Sequence, residues 1–126
     1  MKFMIAAALA AAALAGCATY RAYDGPSRAA AEVTTIHGDA KLRAELPLAL
    51  VIRSVDGRAV DLRYSSIVVT KGHHTLIVDC QVGGAANGST SRHHVEIDAE
   101  GGESYRLQAE MRPGNRSCER VVLEPW

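Results

Sequence analysis

The 126-residue chain is poor in aromatic rings, with one Phe, one Trp and four Tyr. A core built with so few draws on Val, Leu, Ile and Ala, whose side chains each bury less area, so a covalent supplement to stability is expected. There is no excess charge of either sign: 14 basic residues stand against 14 acidic ones, in no block. That excludes the electrostatic footprint of a nucleic-acid-binding surface. The signatures of common catalysts are missing too. No G-x-S-x-G elbow, no H-E-x-x-H helix, no carboxylate pair in an apolar setting and no glycine-rich phosphate loop opening a helix is found; GGAANG lies between strand patterns. No enzyme activity and no cofactor are expected. Helical periodicity is absent after residue 32, and no apolar run reaches the ~20 residues of a membrane span.

What is present begins with MKFMIAAALAAAALAGC, in which one Lys precedes an apolar run from Phe3 to Ala15 and small residues lead to a cysteine. This is the pattern of an export signal. Its end, Leu14-Ala15-Gly16-Cys17, resembles the lipobox of bacterial lipoproteins. The resemblance implies cleavage between Gly16 and Cys17, a lipid on the Cys17 sulfur and acylation of the new amino terminus. Two or more acyl chains give lasting membrane attachment where one would not. Ala18, in place of the Asp that favours inner-membrane retention in that family, implies the periplasmic face of an outer membrane. The competing reading takes Ala13-Leu14-Ala15 as an ordinary A-x-A cleavage site and releases a soluble periplasmic protein. Residues 17–31 then read as the lipidated cysteine and a tether, able to span roughly 50 Å when extended, and 32–126 as the folded domain.

That domain is patterned as strands. EVTTIHG is β-branched, and LPLALVIRSV ends at Asp56-Gly57, a dipeptide suited to a turn with two positive φ angles. Val60, Leu62 and Tyr64 alternate with polar residues, as do His93, Val95, Ile97 and Ala99, and then Tyr105, Leu107, Ala109 and Met111. The last two runs, joined by EGGE, read as a hairpin. About seven strands with frequent turns predict a small antiparallel β-sandwich, with an open barrel as the other possibility.

Val55-Asp56-Gly57 followed by Lys71-Gly72-His73-His74-Thr75-Leu76-Ile77-Val78 resembles the V-D-G … G-x-H-x-V-x-V signature of PEGA-type β-sandwich modules of bacterial envelope proteins. The likeness covers residues 55–78 and maps the family histidine to His74. It implies an extracytoplasmic module for attachment or protein contact, without catalysis.

The remaining candidates are cysteines and histidines. With Cys17 assigned to lipid, Cys80 and Cys118 are left, and in an oxidising compartment a disulfide is the simplest pairing. Free metal-binding or redox thiols are the alternative, without the C-x-x-C spacing such sites commonly use. In GHHTLIVDC, period two puts His74, Leu76, Val78 and Cys80 on one face and His73, Thr75, Ile77 and Asp79 on the other. Adjacent histidines therefore cannot chelate together. A metal site would need His37, His73, Asp79 and His94 to meet, yet a symmetric loop at 83–90 places residue 73 opposite about residue 100 and leaves His94 some six residues away. The expected protein is a lipid-anchored envelope module that binds or supports another envelope protein, with a periplasmic metal-binding protein as the alternative.

Overall fold

The computed structural model describes residues 19–43, 46–83, 88–114 and 117–126, with backbone alone at 39–43 and 46. The segment read as an export signal, with Gly16 and Cys17 at its end, lies outside these residues. Among the described residues ten strands run in chain order: β1 (Thr19–Arg21), β2 (Val33–His37), β3 (Asp39–Arg43), β4 (Leu46–Val55), β5 (Arg58–Ala59), β6 (Ser66–Thr70), β7 (Gly72–Val82), β8 (Ser89–Ala99), β9 (Glu103–Met111) and β10 (Cys118–Pro125). The all-β expectation holds, and the strands form two packed sheets and not a barrel. One sheet has the order β1-β6-β2-β9-β10; the other has β3-β4-β7-β8, with β5 also on β4. Strand number exceeds the expected seven because β1 and β5 are too short to show periodicity, and β3 lies beyond Gly38, where the EVTTIHG run ends.

The inward faces follow the alternation of apolar residues. Ile36, Ile67, Val69, Leu76, Val78 and Leu107 are fully buried, together with Cys80. Their branched aliphatic side chains fit a pleated, half-buried surface, which is why these segments become strands. In β4 the inward set changes from Leu48, Leu50 and Ile52 to Val55, because the register slips between Ile52 and Ser54. A bulge at that point resets the parity of the strand.

Three expectations are corrected. First, the strands of Val95-Ile97 and Leu107-Ala109 do not pair: β8 is bonded to β7 in one sheet, whereas β9 lies between β2 and β10 in the other. EGGE is a corner between sheets, with Gly101 at φ 90 and Gly102 at φ 73, backbone that glycine adopts without a Cβ clash. Second, residues 60–65 are not a strand; only Arg58–Ala59 pairs with β4, and Leu62 points to solvent. Third, the segment expected to be a free tether is in part sheet. Thr19 to Arg21 pair in parallel with Ser66 to Val68, Tyr20 packs on the core, and the Arg58 guanidinium holds the Asp24 carboxylate at 2.8 and 2.9 Å. The first sheet is consequently mixed, with β1–β6 and β2–β9 parallel and its other pairs antiparallel.

Candidate functional site

Cys80 on β7 and Cys118 on β10 are joined as a disulfide, with Cα atoms 6.4 Å apart. Period two turns Cys80 into the core, and β10 brings Cys118 to meet it from the opposite sheet, so the bond ties the two layers together.

The inward histidine of the GHHTLIVDC strand is held in a clamp. The turn after β4 has Asp56 at φ 49 and Gly57 at φ 82, as the Asp-Gly dipeptide predicts. This conformation aims the Asp56 carboxylate at β7. Its Oδ1 accepts from the Thr75 N–H at 2.9 Å, and its Oδ2 accepts from His74 Nδ1 at 2.5 Å. On its other side the His74 ring meets the Thr70 carbonyl at 2.6 Å. A carboxylate and a carbonyl only accept, so the ring donates at both nitrogens. Burial pushes the Asp56 carboxyl up, but the hydrogen bonds from His74 and Thr75 outweigh it and hold the group below its ordinary value. With both ring nitrogens occupied, His74 is a structural strut and has no nitrogen left for a metal or a substrate.

The outer face of the second sheet carries the polar residues of β7 and β8. His73 stands opposite Asp98, and its Nδ1 lies 2.8 Å from that carboxylate; Glu96 lies 3.6 Å from Nε2. The Asp98 hydrogen bond raises the His73 pKa. The β7–β8 register pairs residue 73 with 98, two positions from the expected partner, and an even shift leaves every side chain on its predicted face. His94 then lies opposite Ile77, four residues from His73 along the strand and about 13 Å away. Asp79 faces outward as expected, yet it is only 6% exposed. Arg92 covers it with Nε and Nη2 at 2.9 and 3.3 Å, and Arg53 approaches at 3.6 Å from the bulge in β4. A buried carboxylate is normally paired in this way, and the pattern of charges along single strands does not show that two arginines converge there.

His37 belongs to the other sheet, where its ring meets the Trp126 ring edge-on at a centroid distance of 4.0 Å. Burial there lowers the His37 pKa. Trp126 reaches across the outer face toward β2 and remains 68% exposed. The four metal candidates are thus distributed over two sheets, and no group of three or more metal-ligating side chains occurs among the described residues.

Sequence reasoning missed a further feature. Leu62 and Tyr64 border an apolar cleft of about 190 Å³ whose other wall is Leu50, Val51 and Ile52, with Gly38 at one end. Leu62 and Tyr64 belong to the segment read as a strand, where alternation assigned Leu62 to the core. Comparison with protein-family models, with curated proteins and with solved structures finds no match for this chain.

Proposed function

We propose that this chain is a lipid-anchored cell-envelope protein. Cys17 holds it in the periplasmic leaflet of the outer membrane, and its β-sandwich serves as a non-catalytic module that binds or supports another envelope protein. The observation that carries this reading is the division of the three cysteines. Cys80 and Cys118 are bonded to each other, so the disulfide makes no use of Cys17, the cysteine of Leu14-Ala15-Gly16-Cys17. A disulfide between two sheets also suits a chain that folds in an oxidising compartment.

The surface agrees with a contact role. On the second sheet's outer face His73 is engaged with Asp98, and Asp79 with Arg92; on β8 the His93 ring meets the Ser91 hydroxyl at 2.7 Å. The metal-binding alternative draws no support from the placement of His37, His73, Asp79 and His94.

Cys17→Ser tests the anchor. The wild-type protein is expected in the membrane fraction with a mature amino terminus carrying acyl mass on Cys17, and the variant is expected to lose both. A variant that stays in the membrane fraction would overturn the assignment.

A further inference from the structure

Among the described residues the large apolar side chains left well exposed are Leu62, at 64%, and Trp126. Leu62 stands over the cleft walled by Leu50, Val51, Ile52 and Tyr64. The cleft exists because β4 loses its outer neighbour there: β3 pairs with it only as far as Leu50, and β5 begins opposite Ser54.

This corner adjoins the start of β1. Tyr64 in the cleft wall meets the Tyr20 ring at 5.4 Å, and Ser65, also in the lining, precedes Ser66, the partner of Thr19. Cys17 comes two residues before Thr19, so its Cα can lie no more than about 7 Å from that of Thr19 even in fully extended chain. An acyl-bearing Cys17 would leave the sandwich almost no room to stand off from the lipid.

We propose that this corner, Leu62 with the apolar cleft beside it, rests in the interfacial layer of the same bilayer that takes the Cys17 acyl chains. The inference rests on the lipid-anchor reading. A single leucine and a small cleft are too little to bind a membrane alone, but a patch already tethered at the surface associates without the cost of a bimolecular encounter. The neighbouring chemistry suits that depth. Arg63 lies over the Tyr64 ring, 4.9 Å from its centre, and its Nη2 donates to the Tyr64 hydroxyl at 3.0 Å. A phenol and a guanidinium with apolar stems fit the headgroup level, where each has an apolar body and a wet tip.

The test uses the full lipidated protein reconstituted in phosphatidylcholine vesicles with plain or brominated acyl chains. Leu62→Trp in a Trp126→Phe background leaves one tryptophan at the corner. Glu100→Trp in the same background puts it on an exposed residue at the opposite end, beyond the β7–β8 pair Gly72 and Ala99. Both positions are exposed, and an intact disulfide by mass verifies folding. The corner tryptophan is expected to shift to the blue and lose most of its emission in brominated vesicles, while the distal one is unchanged. Protein that floats with vesicles but shows no quenching at position 62 overturns the docking and leaves the anchor standing. A blue shift that is equal in plain and brominated vesicles also overturns it, since the corner is then covered by a second copy of the chain. Failure to float refutes the anchor itself, and the docking with it.

Discussion

Asp56 joins three contacts at one turn. Its backbone takes the left-handed conformation, its N–H donates to the Thr75 carbonyl at 2.9 Å, and its carboxylate receives both Thr75 N–H and His74. Asp56→Ala leaves a buried imidazole donor unmatched, so a loss of about 1–3 kcal/mol is expected in urea unfolding. Asp56→Asn, which tolerates the left-handed conformation and keeps an acceptor, should lose less. The pH dependence follows from the lowered Asp56 pKa. The unfolded chain binds this proton more readily, so the contribution is complete above the ordinary carboxylate range and is lost as pH falls through the lowered folded value. Stability measured from pH 6 downward should fall less steeply in Asp56→Asn than in wild type, and parallel curves would refute the clamp. The Asp-Gly turn and the inward placement of His74 were both legible, because turn chemistry and period two are local. The burial of Asp79 was not, since it needs Arg53 from a bulge and Arg92 from another strand.

At the level of elements, the decisive point is the passage from β2 to β3, which carries the chain from one sheet to the other at Gly38. A Cβ there would lie 2.8 Å from the Leu50 carbonyl oxygen and 3.1 Å from that of Ser65, and the Gly38 N–H donates to Ser65 at 2.7 Å. Backbone on both sides cannot withdraw without breaking pairs. Gly38→Ala is expected to cost about 1–3 kcal/mol by overpacking, read as a lowered midpoint in thermal or urea unfolding; an unchanged midpoint would show that the corner can open. Alternation along β2, β7, β8 and β9 revealed which face each strand buries. It did not reveal partners, because a strand that ends a hairpin and one that crosses to the other sheet present the same alternating face to the core. EGGE reads as a hairpin for that reason, and the two glycines that permit such a turn also permit the corner.

For the whole molecule, the disulfide compensates for a core with few aromatics. Its cysteines are 38 residues apart, and closing a loop of that length is worth about 4 kcal/mol by chain entropy. The double variant Cys80→Ala, Cys118→Ala is expected to lose about that amount, a large share of a small domain's stability. Calorimetry reads the loss, and a variant as stable as wild type would refute it. The sandwich class and the cysteine pair could be read from the sequence, whereas the apolar corner depends on how two strand ends leave a gap on β4.

The parallel pair β2–β9 bears on the order in which the fold can be completed. Thr34 has no partner on that side until Glu103 is available, whereas β4, β7 and β8 need nothing beyond Ala99. A chain delivered amino terminus first can therefore finish one sheet while the other still exposes an open edge. Contacts this distant in sequence are the ones that slow folding, so the interval in which the β9-facing edge of β2 is open to misassociation is set by the topology.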